Sequence, residues 1–158
     1  MTKSQILTIT LFLFLAPILT FAQIKGKVVK VKDGDTVVIL DKDLKEHTIR
    51  VADIDCPEYA QPYSRVAKEF TSDEIYFREV EIISKGQDRY GRTIGFIHYG
   101  NGLDLSKELL KNGYAWHYKR YSKDKDLAAL EAIAREHKLG LWKDKSPVPP
   151  WEWRRKKK

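Results

Sequence analysis

The chain has 158 residues, 29 of them Lys or Arg and 22 Asp or Glu, for a formal net charge of +7. Its 42% hydrophobic and 11% aromatic content can fill one core, since a domain near this size buries roughly 68–70% of its unfolded surface, and this excludes a wholly disordered chain, collagen and a coiled coil. The single cysteine, Cys56, excludes an internal disulfide and any multi-cysteine zinc or iron–sulfur site, while the basic balance points to polyanionic partners, nucleic acid and acidic membrane surfaces among them.

Lys3 precedes an apolar run from Ile6 to Leu19, and the small-residue end Thr20-Phe21-Ala22 follows. That layout reads as a secretory signal peptide over residues 1–22, cleaved after Ala22. The alternative, a membrane anchor, is disfavoured because the run falls short of the ~20 apolar residues a span needs and Pro17 interrupts it. The segment carries Lys3 and no acid, so the basic character belongs to the remainder. Export would place Cys56 in an oxidising compartment, either sheltered or open to intermolecular pairing.

The Val-rich stretch Gly26 to Lys32, the turn Asp33-Gly34 and the β-branched run Thr36 to Leu40 predict a hairpin. Asp41-Lys42-Asp43 supplies a second turn, and His47 to Val51 a third strand. From Ser64 to about Phe77 there is neither glycine nor proline, and Val66, Phe70, Glu74 and Phe77 fall at helical spacing. Val80 to Ile83 and Thr93 to Tyr99 predict strands four and five, on either side of the turn-rich Lys85-Gly86-Gln87-Asp88. Asp104 is placed to cap a short helix closed by Asn112-Gly113. Asp126 is read as the N-cap of a third helix whose apolar face is Leu127, Leu130, Ile133 and Ala134, with Gly140 beyond its last turn. Residues 146–158 form a Pro-rich, basic tail, read as extended and solvated, with nonspecific phosphate attraction as the alternative. The order, three strands, a helix, two strands and two helices, matches an OB-fold over residues 23–145: a five-stranded barrel with three helices, of the β-barrel plus α class.

Three clusters can carry chemistry: Asp33-Gly34-Asp35-Thr36, Arg50 to Glu58, and Asp88-Arg89-Tyr90-Gly91-Arg92. Each alone is readable as a turn or strand end. His47, His98, His117 and His137 lack paired metal-ligand spacing, so a zinc or histidine-based site is unsupported. Together with the Lys-Leu-Gly-Leu-Trp run at 138–142, the clusters resemble the staphylococcal nuclease-like, or thermonuclease, family of secreted OB-fold nucleases, from about Gly26 to Trp142.

The resemblance implies a Ca²⁺-dependent endonuclease that hydrolyses DNA and RNA to 3′-phosphorylated products. It makes Glu58 the general base for water, Arg50 and Arg92 the stabilisers of the phosphate transition state, and Asp35, Asp55 and the Cys56 backbone carbonyl the Ca²⁺ ligands. These roles answer a physical need. A phosphodiester is anionic and resists water, so its hydrolysis requires a base and positive charge for the developing negative charge. Two carboxylates ~4 Å apart repel by about 4 kcal/mol at an effective dielectric of 20, so a hard cation between them favours their ionised form. Asp33 and Thr36 are supporting partners or simply turn and strand residues. Arg89, Tyr90, Trp116 and Tyr118 are candidates to grip a terminal phosphate and stack a base, with core packing as the alternative for the aromatics. A monomer, secreted or periplasmic, is expected. The competing reading is a noncatalytic nuclease-like module that binds nucleic acid.

Overall fold

The computed structural model describes residues 23–156; the signal-peptide reading lies outside them. Eight strands, β1 (Gln23–Asp33), β2 (Thr36–Leu40), β3 (Glu46–Val51), β4 (Ile54–Asp55), β5 (Glu79–Gln87), β6 (Thr93–Tyr99), β7 (Leu103–Asp104) and β8 (Trp116–His117), combine with four helices. These are α1 (Ser64–Ile75), α2 (Leu105–Lys111), α3 (Lys125–Glu136) and α4 (Pro150–Lys156), with a 3₁₀ turn at Gly140–Lys143.

Five strands close the barrel. β1 pairs antiparallel with β5 through its first half and with β2 through its second, and register breaks at Val28/Lys30 and Val31/Asp33 curl it so that one strand serves both neighbours. Gly26 permits that bend, because a Cβ there would stand 2.5 Å from the Leu40 carbonyl oxygen. β2 pairs with β3, β5 with β6, and the parallel contact Ile49↔Thr93, Arg50↔Ile94, Val51↔Gly95 joins β3 to β6 and shuts the ring. Val28, Val37, Ile39, Ile49, Ile82 and Ile97 fill the interior, and α1 and α2 cover it with Ala67, Ile75, Leu105, Leu109 and Leu110. The OB-fold expectation holds, with one helix more than expected.

The differences are local. β5 runs on to Gln87, so its turn with β6 is confined to Asp88–Arg92, where the Asp88 and Arg92 backbones hydrogen-bond. The N-cap of α3 is Asp124, whose carboxylate accepts from the Asp126 and Leu127 N–H groups, rather than Asp126. Ile133 is 50% exposed, and Glu131 takes the buried face in its place. That burial is satisfied: Glu131 accepts from the His117 backbone N–H and pairs with Lys119 and Arg135. Residues 150–156 are helical rather than extended, with Pro150 in the first turn, where its fixed φ and missing N–H cost nothing. No helix among the described residues is long and apolar enough to cross a membrane.

Candidate active site

The carboxylate cluster is assembled by strand register. Asp35 ends the β1–β2 turn, and Arg50 stands opposite Thr36 in the β2–β3 ladder, one residue from it. The Val51 N–H donates to the Asp35 carbonyl at 2.8 Å and locks that register. Gly34 lets the turn settle, because a Cβ there would come within 2.9 Å of Cys56 Sγ and Ala67 Cβ, and Thr71 of α1 donates to the Gly34 carbonyl at 2.6 Å. The sharp corner after β3, with Asp53 at φ 65°, then sends Asp55 back to the same place.

Asp35 and Asp55 are 3% and 0% exposed. One guanidinium spans both: Arg50 Nη1 pairs with Asp35 Oδ1, and Nη2 donates to Asp55 Oδ1 at 2.7 Å. The Cys56 N–H donates to Asp35 Oδ2 at 2.6 Å, so the Cys56 backbone lies against the first carboxylate. Its side chain faces the interior, where burial pushes the thiol well above its ordinary pKa. Cys56 is thus sheltered and protonated, poorly suited to pairing with another chain. Glu58 sits in the loop before α1, where its backbone N–H donates to Gln61 Oε1 at 2.9 Å.

A second guanidinium reaches the cluster from α4. Arg154 Nη2 donates to Asp55 Oδ2 at 2.8 Å, and Nη1 contacts Asp55 Oδ1 at 3.3 Å and pairs with Glu58 Oε1. Although burial disfavours its charge, the hydrogen bonds to Asp55 and Glu58 raise its pKa above the ordinary arginine value and keep it charged. The sequence reading puts Arg154 in a solvated tail, and the structure corrects it. The signal for it is the Trp-Glu-Trp-Arg pattern after two prolines, which interleaves aromatic and basic residues as nucleic-acid-contacting surfaces do.

Arg154 also lines a groove of about 750 Å³, with Arg89, Tyr90, Trp116, Tyr118 and Trp151, together with Lys119, Arg120, Arg135 and Arg155. Glu131 is the acid on its wall and is already paired, so the groove is strongly basic. β8 pairs with β4, setting Trp116 opposite Asp55, which brings the aromatic segment to the carboxylates. Trp116 itself is 8% exposed, packed edge-on to Trp142 and Trp151, so packing is its principal job. Tyr118 stacks parallel to Trp151, with centroids 5.2 Å apart.

Arg92 is fixed by its own turn: its Nε donates to Asp88 Oδ2 at 2.7 Å. Desolvation raises the Asp88 pKa, but hydrogen bonds from the Arg92 side chain and the Arg92 and Tyr90 N–H groups outweigh it and hold the carboxylate below its ordinary value. Tyr90 is 69% exposed, with the Arg89 and Arg92 guanidiniums over its ring at 4.8 and 5.7 Å. Asp33 and Thr36 both touch Asp35, the first accepting from its N–H and the second contacting Oδ1 at 3.4 Å.

The donor set suits a hard cation. Two buried aspartates face one another across a guanidinium, and the Cys56 backbone adjoins them, which supplies oxygen ligands and no soft ones. Among the described residues no group of three or more His, Cys, Asp or Glu is placed to hold a metal ion, so the two aspartates would need the Cys56 carbonyl, water and substrate oxygens to complete a cation's shell.

The pattern of the family described as staphylococcal nuclease homologue matches residues 48–144, a span that includes Arg50, Asp55, Glu58 and Arg92. An uncharacterized endonuclease of Escherichia coli is 38% identical over 149 residues, covering 94% of this chain and 96% of that protein. An uncharacterized endonuclease of Haemophilus influenzae is 39% identical over 132 residues, covering 84% and 74% respectively. The micrococcal nuclease of Shigella flexneri is 37% identical over 150 residues, covering 87% and 84%. With the barrel and the match extending over most of its length, this chain belongs to the staphylococcal nuclease-like family.

Proposed function

We propose that the chain is an exported, monomeric, Ca²⁺-dependent endonuclease that hydrolyses DNA and RNA to products ending in 3′-phosphate. The observation that carries this reading is the arginine-bridged pair of buried aspartates, joined with Glu58 through Arg154 to a basic and aromatic groove. The family resemblance and the nuclease relatives support the same conclusion.

Each residue has a task that its position allows. Asp35, Asp55 and the Cys56 carbonyl would hold Ca²⁺, which when bound supplies Lewis-acid polarisation of the phosphate. Glu58, on a loop at the cluster and partly open to solvent, takes a proton from the attacking water. Arg50, which bridges the two aspartates, would offer its two-pronged donor set to phosphate oxygens. Arg92 is braced by Asp88 on the turn whose Arg89 and Tyr90 line the groove, and would add positive charge there for the developing charge on the phosphoryl oxygens. The groove steers the polyanion inward, and Tyr118, Tyr90 and Arg89 meet bases and phosphates there. Water is the nucleophile, so a ribose 2′-hydroxyl is unnecessary.

Matched single-stranded DNA and RNA oligonucleotides, incubated with the protein in Ca²⁺ and in chelator, test this. Both are expected to be cut internally in Ca²⁺ only, leaving ends that lose phosphate to a 3′-phosphatase. Binding of both without cleavage would instead establish the noncatalytic module.

A further inference from the structure

The C-terminal segment, expected to be solvated, is built into the candidate site. Gln61 bridges the two: its Oε1 accepts from the Glu58 N–H at 2.9 Å, and its Nε2 donates to the Val148 carbonyl at 2.6 Å. One buried side chain therefore fixes the Glu58 loop and the approach to α4 together. Pro150 is buried, and Trp151 lies flat on Tyr118 and edge-on to Trp116. From this anchored helix Arg154 covers the two carboxylates the reaction most needs, Asp55 and Glu58.

Charge favours an exchange of partners at this point. Asp35, Asp55 and Glu58 face Arg50 and Arg154, which leaves one negative charge in excess. A divalent cation at the aspartates reverses that excess to one positive charge, and a phosphodiester neutralises it. Arg154 holds both Asp55 oxygens, so a cation ligated by Asp55 would compete with it for them. A partly buried guanidinium that has lost its carboxylates needs another anion. Arg154 lines the groove beside Arg155, so a strand in the groove would offer its phosphates there.

We propose that Arg154 is a third arginine of the nuclease site, resting on Asp55 and Glu58 in the cation-free protein and moving to a substrate phosphate when the cation displaces it. This rests on the nuclease reading. A docked helix with a swinging side chain accounts for both positions, and no part of the barrel has to open.

The test pairs calorimetric titration of CaCl₂ into the cation-free protein with steady-state cleavage of a single-stranded DNA oligonucleotide, for wild type, Arg154→Gln and Arg154→Lys. Removing the competitor should tighten Ca²⁺ binding about tenfold in Arg154→Gln, as expected when a ligand no longer has to displace an occupied state. The KM for DNA should rise about tenfold with a smaller change in kcat, the signature of lost uniform binding, and Arg154→Lys should fall between. Superimposable thermal melts would show that all three fold alike. A wild-type enzyme that cuts DNA, beside an Arg154→Gln variant with unchanged Ca²⁺ affinity and KM, overturns the proposal and leaves the nuclease reading standing. Tighter Ca²⁺ binding with unchanged KM overturns the phosphate role. A wild type that binds Ca²⁺ and cuts nothing overturns the nuclease reading, and this one with it.

Discussion

Replacing Arg50 by methionine is expected to cost about 3–5 kcal/mol of folding stability, the range found when one partner of a buried ion pair is removed. The cause is specific: Asp35 and Asp55 are almost fully buried, and Arg50 is the group that spans both. Arg154 would still reach Asp55 but has no contact with Asp35 to take over. Chemical denaturation with and without Ca²⁺ checks this, because a bound cation should restore much of the lost stability by neutralising the same carboxylates. Cleavage should fall by about 10²- to 10³-fold at least, the scale for losing one donor to a developing oxyanion. Arg50→Lys separates the two effects. Its single ammonium keeps the charge and hence much of the stability, yet it lacks the fork that serves two phosphate oxygens, so its kcat should stay low. Wild-type kcat in Arg50→Lys would contradict the assigned role.

Glu58→Gln should behave differently. Glu58 is partly exposed on a loop whose backbone Gln61 holds, and the Arg154 guanidinium it pairs with keeps its contacts to both Asp55 oxygens. The variant should therefore fold with nearly unchanged stability and bind Ca²⁺, while kcat drops about 10²- to 10⁴-fold, the usual contribution of a positioned general base. Its KM for single-stranded DNA should change little, since no groove-lining residue is replaced and Asp55 still anchors Arg154. A loss in kcat smaller than about tenfold would mean that water is activated by another group.

The barrel strands are legible in the sequence because their signals are local. Asp33-Gly34 makes a tight turn between β-branched runs, and the pattern from Thr36 to Leu40 keeps its strand character in any context. The Asp35, Arg50, Asp55 and Glu58 cluster is reachable only through the family resemblance, since the meeting of Asp35 with Arg50 depends on β2–β3 register and that of Asp55 on the corner at Asp53. β4 and β8 are two residues each, too short for any periodicity, so their pairing and the delivery of Trp116 to Asp55 leave no trace in the pattern. Asp124 and Asp126 are both good caps, and the choice falls to the residue whose carboxylate reaches the two N–H groups. At α3 the periodicity favours Ile133 on the buried face, whereas charge pairing makes Glu131 the buried residue. The helix at Pro150–Lys156 is the clearest tertiary effect, because seven residues do not hold a helix in water without packing. Here the packing comes from Trp151 on Tyr118 and Trp116, and Arg154 reaches the site only because of it.

The most direct measurement is cleavage of a single-stranded DNA oligonucleotide by the purified protein across a Ca²⁺ titration, beside the Asp35→Asn and Asp55→Asn variants. Wild type should be silent in chelator and turn on as Ca²⁺ is added. Each variant should need far more Ca²⁺ or remain inactive, although its fold and groove are intact. Equal cleavage with and without Ca²⁺, or variants that respond to it as wild type does, would contradict the assignment of the two buried aspartates as the cation site of a nuclease.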